Sequence, residues 1–559
     1  MTALRRAQVQ LGATLLFALA LIGVLGLVAG SSRAVAACGR LVVASSAEKF
    51  GLLSTLAAGY NAAQPAGAAC VRVVVEEVNS GDAERALETG WSGLAAERPD
   101  VWSPASSAWV QLLAARSQRG ATEVLPPLGD LLQSPTVIGM PQPMAAALGY
   151  PGAQLGWTDL SRLIADPAGW GAVQHPEWGR FRLGKTNPTV STSGLHALVA
   201  SYFAAVGGVP LTSADVSQPR VHDFAAGIES GVIHYGETAG DFLLALRDAD
   251  NRGAATSYIS AVAVEEKELA DYNRGVIAGT HHGAPHTPLV PIYPKEGTLV
   301  ADHPYVPLRW SLQQAAATGF FDYLTLPAQQ ATIQAEGFRN RFGAPGAALA
   351  RLVPRPDPLA REVVVPSGDA LVAMLDAWQE LRRAARVLIL VDTTASPNVL
   401  RPALASLSDA VRNFQPRDLA GVWTFPAPPG SSRPYGELAP LLPSSPAVAR
   451  ALSAIRPAPG AVDPDAALRA AVDALAATYD PARVDAVLLV ELSPEETRAG
   501  ADLPFESWLR NQPANRLVRI FTVGPAGSGR LHDLSLAGQG FSYQPGTTSH
   551  LLNDVISNF

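Results

Sequence analysis

Short apolar runs, rich in β-branched residues, alternate with longer amphipathic stretches along most of this chain. Leu41, Val42 and Val43 form one run and Val71, Val73, Val74 and Val75 the next, while residues 48–60 between them place Leu52, Leu53, Leu56 and Ala57 on one side. Strand, helix, strand is the reading, and a crossover of this length makes the two strands parallel. Their starts then share one sheet edge. Cys38 and Cys70 stand at those starts, so a disulfide between them is expected in an oxidising compartment. Two free thiols are the alternative, required if Cys38 carries lipid. The same alternation continues through 136–139, the helix beginning near Leu195 and 289–293, enough for a two-lobed α/β unit over 38–345. Pro345, Pro354, Pro356, Pro358 and Pro366 punctuate a stretch that predicts a linker over 346–379. Beyond it, 386–391, 421–425, 486–490 and 518–523 have the unbroken apolar character of buried parallel strands, giving a second unit over 380–559.

One run is different in kind. Residues 11–29 are almost uninterrupted apolar residues preceded by Arg5 and Arg6, about 30 Å as a helix. That length leads to the membrane and places everything after it outside the cytoplasm. Within 1–37, Ala34, Val35 and Ala36 make a cleavage site for a secretory signal, the long run suits a retained anchor, and Val35 to Cys38 resembles a bacterial lipobox. Composition narrows the rest. The 559 residues are 48% hydrophobic and 16% charged, so the chain folds rather than remaining disordered. A net charge of -7 argues against a polyanion-binding surface, and no nucleic-acid partner is expected.

Three loops carry hydroxyls at a strand-to-helix junction, a geometry that directs backbone N–H groups and the positive helix end at one point. They are LVVASSAEKF at 41–50, DVWSPASSAW at 100–109 and VSTSGLHALVASYFAA at 190–205. With SYISAVAVEEKELADYNRG at 257–275 and LVPIYPKEGTLVADHPYV at 289–306, this order resembles the type 2 extracellular solute-binding fold, in the branch related to molybdate and sulfate binders. The resemblance implies a ligand cleft between two lobes that close by hinge motion. It implies Ser45, Ser46, Ser106, Ser107, Ser193 and Gly194 as cleft donors, with Tyr258 closing the far side. Each serine is equally readable as a helix N-cap. Neutral donors suit an oxyanion, whereas Glu76, Glu77 and Asp82 after the second strand suit a cationic or polar organic ligand.

In the second unit, VLILVDTTAS at 387–396 ends an apolar strand in Asp392 followed by the hydroxyls of Thr394 and Ser396. Hard cations such as Mg²⁺ take oxygen ligands of this kind. With DLAGVWTF at 418–425, AVLLVE at 486–491 and the stretch 518–543, it resembles a von Willebrand factor type A domain, implying a doubly wound, Rossmann-like sheet and a protein-binding role. The resemblance implies Mg²⁺ at Asp392, Thr394 and Ser396, but Ala461 stands where the family has a ligating threonine and Glu491 where it has an aspartate. The competing reading makes the three residues a helix cap. Gly524 and Gly529 have P-loop spacing, yet Arg530 and Leu531 replace the lysine and hydroxyl that phosphate binding needs. His281, His282 and His286 sit in a Gly- and Pro-rich loop that offers no matching carboxylate nearby in sequence. No nucleophile elbow or histidine–glutamate zinc motif occurs, so no enzyme is expected. The chain thus reads as an exported, membrane-associated binding protein whose solute cleft is joined to a type A unit for an unidentified protein partner. The alternative is an extracytoplasmic scaffold with a vestigial cleft.

Overall fold

The computed structural model describes residues 38–543 apart from 64–69, 93, 95, 118–122, 208–209, 354–360, 412–413, 444–445, 461–462, 481, 494–502, 514–515 and 526. The expected export or anchor segment and Ala461 lie outside the described residues. Among those residues no helix is long and apolar enough to cross a membrane.

β1 (Gly39–Ser45), α1 (Ala47–Ala63) and β2 (Val71–Glu77) form the expected crossover. The strands pair in parallel with Gly39 opposite Val71, a register that sets Cys38 beside Cys70. The two are joined in a disulfide with their Cα atoms 4.9 Å apart. A thiol committed to that bridge is closed to lipid attachment. The first lobe continues through α2 (Ser80–Glu88), β3 (Val101–Ser103), α3 (Ser107–Arg116) and β4 (Gly129–Asp130). The long β5 (Leu132–Pro141) opens the second lobe, followed by β6 (Leu183–Thr186), α4 (Thr192–Ala205), β7 (Val232–Gly236), β8 (Ala261–Glu265) and α5 (Glu266–Arg274). A small ribbon of β9 (Val276–Ile277) and β10 (Thr280–His281) precedes β11 (Leu289–Ile292) and β12 (Val300–Ala301). The chain then crosses back through His303 into β13 (Pro304–Pro307), and later returns once more to β5 with β14 (Arg339–Asn340).

Two sheets result, ordered β2-β1-β3-β13-β4 and β11-β5-β8-β6-β7, with β12 and β14 also paired to β5. In the second lobe α4 is buried along its whole length, as a helix apolar on every side must be.

The expected linker is only partly one. Its second half is a helix, α6 (Gly368–Leu381), that buries Ala370, Leu371, Met374, Leu375 and Trp378 in the core of the preceding unit. These positions recur at helical spacing, and their burial outweighs the proline-rich character of the residues before them. α6 packs on α3 of the first lobe and on α4 and the helices Ser213–Val216 and Pro219–Ser230 of the second. Gly368 lies so close to α3 that a Cβ on it would sit 2.2 Å from the Gln111 carbonyl oxygen. At the other end Trp378 meets Tyr235 of β7 edge-on, ring centroids 5.2 Å apart. One helix therefore straps both lobes together.

The last unit is a single sheet of β15 (Ala384–Asp392), β16 (Leu419–Phe425), β17 (Gly436–Pro443), β18 (Arg483–Val490), β19 (Val518–Val523) and β20 (Ser542–Tyr543). Its order is β17-β16-β15-β18-β19-β20, and only the β16–β17 pair is antiparallel. β15 is buried throughout because both faces are covered: Val387, Ile389 and Val391 meet helix Pro397–Ala410, while Leu388 and Leu390 meet α7 (Pro464–Ala477). A further helix, α8 (Gly529–Ala537), covers β19. The two units are docked, not tethered. Arg383, between α6 and β15, donates to the Val232 carbonyl of the second lobe (3.4 Å) and to that of Arg483 in β18 (2.7 Å).

Candidate functional site

A cavity of about 1100 Å³ lies between the two lobes. The first lobe contributes the start of α1 and the loop after β2, and the second contributes the loop before α4, the end of β8 and much of α5. Phe541, Ser542 and Tyr543 of the C-terminal sheet add a third wall.

Of the residues implied as cleft donors, Ser46 and Ser193 line the cavity. The Ser193 hydroxyl donates to Glu268 at 3.4 Å. The others are placed differently. Ser45 turns back to bond the Ser46 carbonyl at 3.1 Å, and Ser107 gives its backbone N–H to Asp302 at 2.7 Å. Ser106 is the N-cap of α3, and Gly194 is wedged against the Thr186 carbonyl, where a Cβ would sit at 2.2 Å. Tyr258 is buried beside Phe242, with ring centroids 5.9 Å apart, and feels Arg519 of the C-terminal sheet rather than closing the cleft. Glu77 lines the cavity, whereas Glu76 accepts from the Glu97 backbone and Asp82 pairs with Arg85.

One flank of the cleft is shut by direct contacts between lobes. Gly81 of α2 donates its N–H to the Val190 carbonyl at 3.0 Å, and Trp109 of α3 donates to Thr192 at 2.8 Å. His196 of α4, wholly buried, spans Thr136 of β5 (2.8 Å) and Ser106 (2.9 Å). Burial holds its pKa at about 3, below the ordinary 6.5. The folded state keeps the ring neutral, so between these values the unfolded chain binds the proton more readily and acid favours unfolding. Lowering the pH from 7 to 5 is expected to cost His196→Gln about 2 kcal/mol less stability than the parent chain, read by urea unfolding at each pH. Equal acid losses in both would refute it.

Lys49 escaped the sequence reading, although it stands three residues after Ser46 on one helical turn. Its buried ammonium donates to the Ser46 hydroxyl and to the carbonyls of Ser103 (2.9 Å) and Pro104 (3.3 Å). A serine–lysine pair at this spacing serves as nucleophile and base in some hydrolases, but here all three N–H bonds have acceptors. Burial lowers the pKa of Lys49, with Glu48 and Glu265 opposing. The group cross-links α1 to the end of β3.

The cavity is rich in carboxylates. Among the described residues eight line it, including Glu48, Glu77, Glu237, Asp241, Glu265 and Glu268, against the two basic side chains Lys267 and Arg274. Lys267 is itself paired with Asp271. Burial, then the charges of its neighbours, drives Glu265 and Glu268 well above the ordinary carboxylate range, and burial raises Asp241 to about 6. Glu48 goes the other way: burial opposes its charge, but Lys49, His303 and the Ser46 hydroxyl together outweigh that. His303 enters from the crossover between β12 and β13, at a backbone φ of 45° that is uncommon outside glycine. By contrast His281, His282 and His286 are exposed on their loop, and among the described residues they form no metal-binding group.

At the C-terminal ends of β15 and β18, both oxygens of Asp392 are occupied. Oδ1 accepts from the Thr394 N–H (2.8 Å) and hydroxyl (2.7 Å), and Oδ2 from Ser493 (2.7 Å). Ser396 is exposed at the start of the next helix. Arg530 of α8 bridges Glu491 (2.9 Å) and Asp465 of α7. Neither Ser493 nor the bridging role of Arg530 is legible in the sequence, since each acts on residues far away along the chain.

A family model described as bacterial extracellular solute-binding protein matches residues 41–339. No curated protein matches the chain. Among solved structures, the sulfate-binding protein SubI from Mycobacterium tuberculosis is similar at 16% identity, covering 57% of this chain and 92% of that one, with a TM-score of 0.36. The periplasmic binding protein AfuA from Actinobacillus pleuropneumoniae is similar at 14% identity, covering 61% and 96%, with a TM-score of 0.39. The ferric binding protein from Campylobacter jejuni is similar at 10% identity, covering 61% and 99%, with a TM-score of 0.43.

Proposed function

Since this chain belongs to the bacterial extracellular solute-binding proteins, we propose that it is an extracytoplasmic binding protein whose interlobe cleft takes a small solute bearing positive charge. The observation that carries this is the lining, eight carboxylates against two basic groups. A cation offers these buried acids a counter-charge in place of the proton that burial favours, whereas an oxyanion offers them none. Thus the oxyanion suggested by the serine loops gives way to a cationic ligand. The role read here is binding, since the Ser46–Lys49 pair in the cleft is engaged in joining α1 to the carbonyls of Ser103 and Pro104.

The C-terminal sheet serves as a type A unit for a protein partner, and its strand order and single antiparallel edge support that assignment. Its residues do not fit Mg²⁺. Asp392 has no oxygen free of a hydrogen bond, and the Arg530 guanidinium supplies the positive charge beside Glu491. The partner is therefore bound without a divalent ion, and residues 1–37 hold the assembly at the membrane.

Thermal melts of the full chain with short diamines, amino acids, sugars, molybdate, sulfate and phosphate test the cleft. A diamine at 100 times its dissociation constant is expected to add about 2.7 kcal/mol. Stabilisation by an oxyanion instead would overturn the charge assignment. No response to any solute would favour the scaffold reading, which α6 already supports by strapping the lobes against hinge opening.

A further inference from the structure

Three side chains from three separate elements converge at the inner end of the cleft: Glu48 in the first turn of α1, Glu265 at the end of β8, and His303 on the crossover between the lobes. One ligand atom from each lies within 4.8 Å of the others. The imidazole stands between the carboxylates, Nδ1 at 3.4 Å from Glu48 Oε1 and Nε2 at 3.5 Å from Glu265 Oε2. Among the described residues neither ring nitrogen has a hydrogen-bond partner, and neither has Glu265 Oε2, although His303 is 0% exposed and Glu265 only 2%. Buried polar atoms are paired in the great majority of cases. Of these atoms, His303 Nε2 and Glu265 Oε2 face one another at 3.5 Å and lack a common partner.

We propose that Glu48, Glu265 and His303 bind one divalent first-row transition-metal cation at the floor of the cleft. The proposal rests on the cationic-cleft reading above and names the class of cation. A mixed nitrogen and oxygen donor set suits Zn²⁺ and its neighbours in the series, whereas Mg²⁺ and Ca²⁺ take oxygen ligands alone. Access is open, since Glu48 and Glu265 both line the cavity. The surroundings favour positive charge, with Glu77, Glu237 and Glu268 on the same walls. Lys49 Nζ lies 3.5 Å from Glu48 Oε1, and the Ser46 hydroxyl also donates to that oxygen, but the closer acceptors of the ammonium are Ser46 and two carbonyls. The ligands come from both lobes and from the crossover, so a bound ion joins all three.

The test uses the full chain, stripped with a chelator, desalted and equilibrated with Zn²⁺, Mn²⁺ or Mg²⁺, with bound metal measured by plasma mass spectrometry and affinity by calorimetry. One Zn²⁺ per chain is expected, with Mg²⁺ weaker. His303→Gln and Glu265→Gln are each expected to weaken Zn²⁺ binding at least about tenfold, while Glu97→Gln on the exposed surface leaves it unchanged. Glu265→Gln matches the shape of the acid it replaces, so it keeps the test decisive if His303→Gln fails to fold. No stoichiometric Zn²⁺ in the parent chain, or undiminished binding in the Glu265→Gln chain, overturns the proposal. If diamines stabilise the chain while metal does not bind, this inference alone falls. If neither metal nor diamine acts, the cationic-cleft reading falls with it.

Discussion

Replacing Trp378 by alanine is expected to cost about 3–5 kcal/mol, the largest loss of any single substitution considered for this chain. Trp378 is wholly buried near the end of α6, against Tyr235 of the second lobe. Its removal leaves a void that the surrounding rings cannot fill without moving β7 or the strap. The loss has a second signature, because α6 is also anchored on α3 of the first lobe by the close approach at Gly368. With the strap loosened, the lobes are free to separate about the crossing strands, and small-angle scattering should report a larger radius of gyration under native conditions. A stability loss below about 1 kcal/mol, or an unchanged radius, would mean that α6 merely rests on the surface. A helix from outside the residues matched to the solute-binding family, 41–339, thus packs against both lobes.

Removing the Cys38–Cys70 bridge is expected to lower stability by about 3–4 kcal/mol, since it closes a segment of sequence separation 32 and restricts the unfolded chain accordingly. The bridge sits at the edge where β1 and β2 begin, and β1 lies between β2 and β3 in the first sheet. Loss of the cross-link therefore frees β2, the edge strand, more than β1. Cys38→Ser and Cys70→Ser should melt at the same reduced temperature, and a reductant should bring the parent chain down to it. If reduction leaves the melting temperature of the parent unchanged, the bridge contributes nothing to folding. The larger effect of Trp378→Ala follows from where the two act: the tryptophan fills a core shared by both lobes, and the bridge constrains one crossover.

What the sequence determined by itself is whatever depends on neighbours along the chain. The alternation of Leu41 to Val43, the helix at 48–60 and the run at 71–75 encode a parallel pair, and parallel register then brings Cys38 to Cys70 without further information. The unbroken apolar run ending at Asp392 likewise announced a strand buried on both faces. The helical spacing of Ala370, Leu371, Met374, Leu375 and Trp378 is also present in the sequence, directly after a proline-rich stretch that by itself reads as linker. Tertiary structure alone decided the site. Glu48, Glu265 and His303 are far apart in the chain and meet because the crossing strands return between the lobes, bringing a histidine to carboxylates from each. The serine loops illustrate the converse. A hydroxyl before a helix is equally a cap or a ligand donor, and only packing separates Ser106, which caps α3, from Ser46 and Ser193, which face the cleft. Local pattern settles which element forms, because backbone and side-chain periodicity are local. The charge of a cavity is a sum over distant segments, and it exists only once they are packed.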